Sequence, residues 1–449
     1  MSAQIDPAQA GNISKFKISS NLDENSIDLS AGVVDYRYYE SVLSNNVTAT
    51  ATVVETGFQE DKGKTGDAPG TIDGLPIRGG ERTDITIEDT YGNELKLDDG
   101  LYVNRVRDVD PGTQTDVYFL DFASKEYFAN EQTRVRKRYE GKISESVTTI
   151  LQDVLQTDMK IDADTTAVPF NFIGNEKKPF YTCTWLASKS IPEKVEDAED
   201  SDPIGGAAGY LFFQTRDAFN FKGIDNIFSG ESTKKYIYNN TPGLPEGYDA
   251  KVLSYDINRD IDLQENLMLG TYNNRSIFFD YFAFNYKVVP FNITEQSKKI
   301  AIAGKEGKND NVAKEFTASP TRLMNHILDV GTLPKGITSN AQLEEWRNER
   351  ESSNYKAEET TVQSIMRYNQ IFSIKTQITI PGDFSIKAGD LVTLDVPELK
   401  GSPTKELNPE SGGIYMVASV CHRVTPGSSL TSLDLVRDSY GKKPTGMKS

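Results

Sequence analysis

The sequence has few of the residues on which covalent scaffolds and most enzyme sites depend. Its 449 residues include two cysteines, two histidines and two tryptophans. Cys183 and Cys421 are too few for a disulfide framework or a cysteine-rich metal site, and we expect both to be reduced core thiols. No stretch reaches the roughly 20 apolar residues of a membrane-spanning helix, and the N-terminus lacks the basic and apolar segments of a signal peptide. We therefore expect no role in a membrane.

Basic residues are also in short supply. The chain has 49 lysines and arginines against 66 acidic residues, which gives a formal net charge of -17. Non-specific binding to nucleic acid or to an anionic membrane needs a cationic surface, so this balance disfavours both. The acidity is explained most simply by solubility, and it would also suit a wall that must not retain DNA.

Sequence signatures of catalysis are missing. His326 and His422 lie in no HExxH motif and beside no evident nucleophile, so we expect surface or packed imidazoles. Residues 57–65 (GFQEDKGKT) resemble a phosphate-binding loop, but the glycine spacing is one residue too long and no helix can follow. Residues 108–112 hint at a calcium loop, but their glycine comes one place early. We predict no catalytic, cofactor-binding or metal site.

A cluster of bases, RVRKR, occupies residues 134–138. It could bind nucleic acid, but a glutamate follows it closely and the surrounding chain is acidic. A salt-bridged face or a subunit contact is the favoured interpretation.

What the sequence does contain is a pattern of short alternating strands, interrupted by a region of mixed character. The fold class predicted is mainly β with α+β: two duplicated antiparallel β-barrel domains plus an inserted α+β domain. The predicted segments are a flexible N-terminal arm (1–14), a first β-barrel domain (15–125), an α+β domain (126–248), a second β-barrel domain (249–293 and 370–440), a peripheral helical and loop insertion (294–369) and a C-terminal tail (441–449).

Individual elements follow from local periodicity. Residues 144–156 have apolar side chains at helical spacing with Ser144 as a plausible N-cap. The remaining assignments are strands at 47–55, 84–88, 101–106, 116–122 and 278–286, a short helix at 182–189, a hairpin at 210–214 and 219–223, a flexible loop or contact loop at 60–80, and solvated surface at 193–202 and 342–350.

An internal repeat links the two β regions. Residues 75–88 (LPIRGGERTDITIE) and 384–395 (FSIKAGDLVTLD) share an isoleucine, a base, a small residue, a glycine and an acid, followed by a strand. The first copy has two additional residues before that strand. Gly-Leu-Tyr at 100–102 then matches Gly-Ile-Tyr at 413–415, and Pro-Gly at 111–112 matches Pro-Gly at 426–427. Matched blocks in the same order favour duplication over shared turn chemistry.

Three longer segments carry a resemblance. They are residues 131–155 (EQTRVRKRYEGKISESVTTILQDVL), residues 179–223 with a Trp-Leu-Ala helix followed by YLFF and DAFNF, and residues 363–381 (QSIMRYNQIFSIKTQITIP) with the IKAGD turn at 386–390. Their order resembles the baseplate central hub proteins of contractile-tailed, T-even-type bacteriophages, over most of residues 30–440.

The resemblance implies a non-enzymatic homotrimer in the virion, at the tail baseplate, assembled in the host cytoplasm. Two barrel domains per chain would form a pseudo-hexameric ring. The implied partners are a trimeric central spike protein, the tail tube or tube-initiator proteins, and baseplate wedge proteins. DNA would pass through the lumen without specific binding, past an acidic wall, and no cofactor is implied.

Two other functions fit a β-rich chain. One is a tail-associated hydrolase acting on cell-wall glycan or polysaccharide, which would need a pair of acids in a groove. The other is a carbohydrate- or receptor-binding tail-tip module, which would need exposed aromatics in a cleft. The duplication explains an adaptor ring and explains neither alternative.

Overall fold

The computed structural model describes residues 11–22, 25–55, 75, 77–97, 100–111, 115–193, 206–239, 243–259, 262–281, 284–293, 302–307, 312–327, 357–398 and 407–442. The segments 57–65 and 342–350 lie outside these described residues, as do most of 60–80, 193–202 and the two chain ends. The predictions made for those segments stay predictions.

Strands dominate the described residues, as expected for a chain rich in alternating β-branched and aromatic side chains. They are β1 (Asn12–Ser19), β2 (Ser26–Asp28), β3 (Val33–Ser41), β4 (Thr48–Glu55), β5 (Arg82–Glu88), β6 (Glu94–Lys96), β7 (Leu101–Pro111), β8 (Asp116–Ser124), β9 (Arg138–Tyr139), β10 (Lys160–Ala163), β11 (Phe172–Ile173), β12 (Tyr210–Gln214), β13 (Ala218–Gly223), β14 (Lys234–Ile237), β15 (Ala250–Lys251), β16 (Ser254–Arg259), β17 (Asn273–Asp280), β18 (Asn285–Asn292), β19 (Glu306–Gly307), β20 (Arg322–Ile327), β21 (Ile374–Pro381), β22 (Leu391–Asp395), β23 (Gly413–Thr425), β24 (Ser428–Arg437) and β25 (Ser439–Tyr440).

Helices are short and fall mostly between the two β-rich regions. They are α1 (Lys125–Gln132), α2 (Ile143–Thr149), α3 (Pro179–Ala187), α4 (Ile224–Ser229), α5 (Leu263–Leu269), α6 (Lys314–Thr317) and α7 (Ala357–Gln370). A π-helical turn, Ile150–Val154, continues α2. None of the described helices combines the length and the apolar character needed to cross a bilayer.

One large sheet contains two runs of strands with the same order. The first run is β3-β4-β8-β7-β5 and the second is β16-β21-β24-β23-β22. All neighbours within each run are antiparallel. The strands also follow one another along the chain in the same sequence. The predicted fold class, mainly β with a duplicated antiparallel unit and an α+β part, is thus confirmed. We call β1–β8 the first module, and β14–β16 with β21–β24 the second module.

Each module buries one face of its sheet in its own apolar core. The first core includes Tyr36, Leu120 and Phe122. The second includes Ile378 and Leu435. Alternate residues along each strand face away from these cores, so each module leaves one sheet face available for other uses.

The repeated turn has the same hydrogen bonds in both modules. The Glu81 carboxylate accepts a hydrogen bond from the Arg78 N–H at 2.7 Å, and the Asp390 carboxylate accepts one from the Lys387 N–H at 2.9 Å. In each case the acid satisfies a backbone donor that the turn would otherwise leave unpaired. The repeated base–small–Gly–acid sequence therefore encodes one turn used twice.

Backbone bonds then fix how the rest of the repeat corresponds. The N–H of Gly80 bonds to the carbonyl of Val103 at 2.7 Å, and that of Gly389 bonds to the carbonyl of Val417 at 2.8 Å. Val103 and Val417 are therefore equivalent. A β-bulge follows each of them, between Val103 and Arg105 and between Val417 and Ser419.

This equivalence corrects two details of the predicted repeat. Tyr102 corresponds to Met416 and not to Tyr415, because Arg82 pairs with Tyr102 and Leu391 pairs with Met416 directly after the two turns. For the same reason the first copy has no insertion of two residues before its strand, so that part of the prediction is wrong. Pro111 lies within β7, whereas Pro426 lies in the turn after β23.

The α+β part lies between the modules in the chain. The sheet β10-β13-β12 packs against α2 and α3, and Phe180, Phe212 and Phe219 lie in the core that they share. The predicted short helix and hairpin are confirmed. The predicted N-cap is wrong: the helix begins at Ile143, and Ser144 is buried with its N–H donated to the Thr166 hydroxyl at 3.1 Å.

Other boundaries differ from the sequence expectations. Strand β1 begins at Asn12, so the last residues of the predicted arm form part of the first module. The predicted strand 278–286 is wrong, since β17 ends at Asp280 and β18 begins at Asn285 with a turn between them. Strand β14, expected in the α+β domain, pairs in parallel with β22 of the second module.

The predicted peripheral insertion ends in a helix that is not peripheral. Val362, Met366 and Arg367 of α7 are buried. The Arg367 guanidinium contacts the carboxylates of Asp225 at 2.8 Å and Asp438 at 2.5 Å. Because these acids belong to the α+β part and to the end of the second module, the helix joins the two.

A buried carboxylate marks the place where both modules meet the α+β part. Glu40 of β3 accepts hydrogen bonds from the N–H of Arg216 at 2.8 Å, the N–H of Ala388 at 3.1 Å and the hydroxyl of Tyr38 at 2.9 Å. Burial raises the pKa of Glu40 above its ordinary value, although these donors oppose the shift.

Candidate functional site

The two modules are joined by a strand pair. The first residues of β23 pair with β22 of its own module. The later residues, from Ser419 to Val424, pair on the same side with β3 of the first module, from Ser41 to Tyr36. The sheet therefore runs from one module into the other without a break, and we call this pair the internal joint.

The counterparts of the two joint strands lie at the ends of the double module. Strand β7 corresponds to β23, and β16 corresponds to β3. Among the described residues, β7 beyond Val103 pairs with β8 alone, and β16 pairs with β21 alone. The internal joint uses one edge of β23 and one edge of β3. Among the described residues, the equivalent edges of β7 and β16 have no partner strand, and they lie at the two ends of the double module. An open edge with unpaired N–H and C=O groups is a site for pairing with another chain.

A polar face runs across eight strands, in the order β16-β21-β24-β23-β3-β4-β8-β7. At the Ser41–Ser419 end of the internal joint its side chains are uncharged, and include Ser41, Gln377 and Ser419. Two adjoining grooves, each of about 450 Å³, lie on this face and share these residues with Asp434. Serine, threonine and glutamine side chains give a surface that is well solvated and offers little apolar area for adhesion.

Three arginines on the polar face form ion pairs with carboxylates. Arg37 and Arg423 are register partners across the internal joint, and both donate to the carboxylate of Asp35, at 2.7 and 2.9 Å. At the far end of the face, Arg107 lies 3.0 Å from the carboxylate of Asp121. Burial alone would raise the pKa of Asp35, but the hydrogen bonds from Arg423 and Arg37 outweigh it and lower that pKa.

The acids and bases of this face nearly balance. The described residues that point to this side by strand alternation include the acids Asp35, Asp121, Asp256 and Asp434, and the bases Arg37, Arg105, Arg107, Lys375 and Arg423. The net charge of -17 is therefore not concentrated here, so the acidic wall expected from the composition is not the character of this face.

The two histidines considered as possible catalytic residues pack against backbone and aromatic groups. His422 is buried in β23, where its Nε2 lies 3.2 Å from the carbonyl oxygen of Ile386. Burial, and secondarily the positive charge of Arg216, lower its pKa to about 3, so the imidazole is neutral. His326 stacks on Phe278 with ring centres 4.9 Å apart. The Nδ1 of His422 lies 3.0 Å from the hydroxyl of Thr431, which is buried beside it.

The cysteines differ from each other. Cys183 is a buried free thiol in the α+β core, as predicted, and burial raises its pKa. Cys421 is free but only half-buried on the polar face, so the prediction of a core thiol is wrong for it. The described residues contain no group of three or more histidine, cysteine or acidic side chains that could hold a metal ion.

The basic cluster at 134–138 forms a salt-bridged face, as favoured from the sequence. Arg136 contacts Glu176 at 2.9 Å, Lys137 contacts Asp153 at 3.4 Å, and Arg138 contacts Glu140. The suspected calcium loop is instead part of β7, where Asp108 has a φ of 51° at an irregularity in the strand pairing.

A second exposed surface lies on the sheet β18-β17-β20. Its outer face brings Phe279 beside Tyr286 and Ile327 as register partners, and all three side chains are exposed. Sequence reasoning treated this aromatic run as one strand and therefore missed the surface. An exposed row of large apolar side chains is typical of a protein contact.

Comparison with known proteins identifies the fold. A tail protein from Neisseria meningitidis MC58 superposes with a TM-score of 0.51 at 9% identity, over 94% of this chain and 97% of that one. The architecture described above is the fold of this tail protein. The resemblance to tail and baseplate proteins noted in the sequence is thereby confirmed at the level of the fold.

Two further structures have lower scores. The 43 kDa tail protein of prophage MuSo2 from Shewanella oneidensis has a TM-score of 0.47 at 10% identity, covering 95% of this chain and 98% of that one. Prophage tail protein gp18 from Listeria monocytogenes EGD-e has a TM-score of 0.42 at 9% identity, with 94% of each chain covered. No protein-family model and no curated protein sequence matches the chain.

Proposed function

We propose that this protein is a structural component of a phage tail, and more specifically the central hub of a baseplate. In this proposal three copies form a ring in which six similar modules alternate. The ring adapts a six-fold tail tube on one side to a three-fold central spike on the other. The protein would work in the virion, at the tail baseplate, without catalysis or a cofactor.

The observation that carries the proposal is the internal joint. Within one chain, it shows how one module binds another, by antiparallel pairing of β23 with β3. The open edges β7 and β16 are the counterparts of these two strands, so β7 of one copy can pair with β16 of the next in the same way. Repetition of one heterologous contact closes a ring when the rotation allows it, and closure would remove the open edges of β7 and β16.

The size of such a ring fits a channel. Each copy would contribute the eight strands of the polar face, from β16 to β7. Three copies, at the usual strand spacing and barrel tilt, close a cylinder on the order of 40 Å across between backbones. With the polar face turned inward, the lumen would have room for double-stranded DNA. The exposed face of β18-β17-β20 would remain outside for neighbouring baseplate proteins.

Disulfide cross-linking tests the ring contact at one residue pair. Equivalent strand pairs make Arg107 the counterpart of Cys421 and Asn258 the counterpart of Tyr39. Cys421 and Tyr39 are register partners in the internal joint. We therefore expect Arg107→Cys with Asn258→Cys, in a Cys421→Ser background, to give cross-linked dimers and trimers on mild oxidation.

Two controls accompany the cross-link. The single variant Tyr39→Cys places a cysteine opposite Cys421 and should form a disulfide within one chain, which shows that this pair geometry permits the bond. Arg107→Cys with Ser254→Cys shifts one partner along β16 and should not cross-link. Light scattering should give a particle of three chains of 49.9 kDa each. Cross-linking equal to that of the shifted pair, together with a monomer at high concentration, would contradict the ring.

A further inference from the structure

Two arginines meet on the polar face at the internal joint. Arg37 and Arg423 are directly opposite each other in the strand register, and like charges in such positions repel. Asp35 lies between them, with carboxylate oxygens 2.7 Å from a guanidinium nitrogen of Arg37 and 2.9 Å from one of Arg423. One carboxylate thus serves two guanidinium groups.

At the far end of the face, one arginine contacts two carboxylates. The Nε of Arg107 lies 3.0 Å from a carboxylate oxygen of Asp121, and another of its nitrogens lies 3.2 Å from Asp108. Asp121 is only partly exposed, as is Asp35. These arginines are therefore held against the sheet by carboxylates on the same or neighbouring strands.

We propose that Asp35 and Asp121 keep the polar face from retaining nucleic acid, by occupying arginines that would otherwise bind phosphates. This inference rests on the proposed function, in which the polar face lines a DNA channel. Low adhesion then comes from pairing Arg37, Arg423 and Arg107 with carboxylates, since the face has no surplus of acid.

The chemistry of the guanidinium group gives the reason. Arginine binds carboxylate and phosphate with the same two-pronged hydrogen-bonding geometry, so a bound carboxylate competes directly with a phosphate. Each arginine that contacts a DNA phosphate releases a counterion and adds affinity, and the effect grows as salt is lowered. Loss of the carboxylate charge would leave Arg37, Arg423 and Arg107 able to bind a backbone.

The test measures binding of a fluorescent DNA duplex by anisotropy at low and moderate salt. We expect Asp35→Asn with Asp121→Asn to bind the duplex at least tenfold tighter than the unchanged protein. The slope of log affinity against log salt concentration should correspond to about two to three phosphate contacts. The matched control is Asp256→Asn with Asp434→Asn. It makes the same charge change on the same face, at acids for which the described residues show no arginine contact.

Each outcome decides the proposal. A gain in the first variant that disappears when Arg37→Gln and Arg423→Gln are added supports it. An equal gain in both double variants means that net charge alone controls adhesion and overturns it, as does tight binding by the unchanged protein. The single variants Asp35→Asn and Asp121→Asn, checked by circular dichroism, separate lost folding from lost pairing. Light scattering of the same samples reports on the ring independently, because a monomer also exposes the polar face.

Discussion

The two modules share a strand order and a turn, but their surroundings differ. In the first module, a Cβ added at Gly80 would come no closer than 3.8 Å to another group, the side-chain amide of Asn21. In the second, a Cβ at the equivalent Gly389 would lie 2.8 Å from the ring of Phe213 in the α+β part. Among the described residues, one copy of the turn has no close neighbour at this glycine, whereas the other is a packing surface.

This difference shows how a duplicated fold acquires two roles. The second module supports the α+β part through the Phe213 contact, through Arg216, which donates to the carbonyls of Phe384 and Ser385, and through the Arg367 ion pairs. The first module lacks the counterparts of these contacts among the described residues. In a ring of alternating modules, every second one would then support an attached domain, which gives three-fold symmetry from six similar units.

The largest expected effect comes from breaking the support of the second module. Arg367 is fully buried between Asp225 and Asp438. Arg367→Met should lower the free energy of unfolding by about 3–5 kcal/mol, because two buried carboxylates lose their partner. Urea denaturation followed by circular dichroism measures this loss.

The matched control for that variant is Arg37→Met in the internal joint. Arg37 is 42% exposed in its pair with Asp35, and an exposed pair contributes less than about 1 kcal/mol. Equal losses in the two variants would show that the buried ion pairs of α7 are not what fixes the second module.

The repeated turn offers a sharper comparison of the modules. Gly80 and Gly389 have φ values of 85° and 90°, so an alanine is strained at either position. Gly80→Ala should cost about 1–2 kcal/mol from this strain alone. Gly389→Ala should cost about 2–4 kcal/mol, because its methyl group also collides with the buried ring of Phe213.

The same denaturation experiment measures both glycine variants. A second variant, Gly389→Ala with Phe213→Leu, should recover part of the additional loss by making room for the methyl group. If the two single variants lose the same stability, the turn of the second module is not a packing surface.

The sequence predicted features that local chemistry decides. Strand alternation predicted the strands β4, β5, β7, β8, β12 and β13. The IRGGE and IKAGD blocks revealed the duplication because a turn with a left-handed glycine and a capping acid restricts the choice of residues. The repeat was matched one residue out of register downstream, because the match relied on the shared Gly-x-Tyr residues at 100–102 and 413–415, whereas the strand pairing makes Tyr102 equivalent to Met416.

What the sequence could not predict depends on distant contacts. The internal joint pairs residues such as Arg423 and Asp35, which are 388 positions apart, and nothing in a strand's own pattern selects that partner. Arg367 was assigned to a peripheral insertion because residues 294–369 are polar and helix-prone, whereas its burial depends on two acids from other parts of the chain. The polar face could not be predicted for the same reason. Its eight strands come from separate stretches of the sequence, namely β3–β4, β7–β8, β16, β21 and β23–β24.

The smallest expected effect concerns pH and again separates the modules. The second module has a buried histidine, His422, whose pKa is lowered to about 3, whereas no histidine occurs in the first module. Between pH 6.5 and pH 3 the unfolded chain binds a proton at this residue that the folded chain does not. Stability from the neutral imidazole is thus complete above pH 6.5 and is lost as the pH falls.

Comparison with His422→Gln isolates this contribution from that of the acids. On going from pH 7 to pH 5, the unchanged protein should lose about 2 kcal/mol more unfolding free energy than the variant, since each pH unit below the unfolded pKa contributes about 1.4 kcal/mol. His326→Gln serves as the control, because His326 is only partly buried on the β20 strand and lies outside both modules. If His422→Gln and the unchanged protein lose stability in parallel, the imidazole is protonated in the folded state, and the core of the second module is more accessible to water than its packing against Phe384 implies.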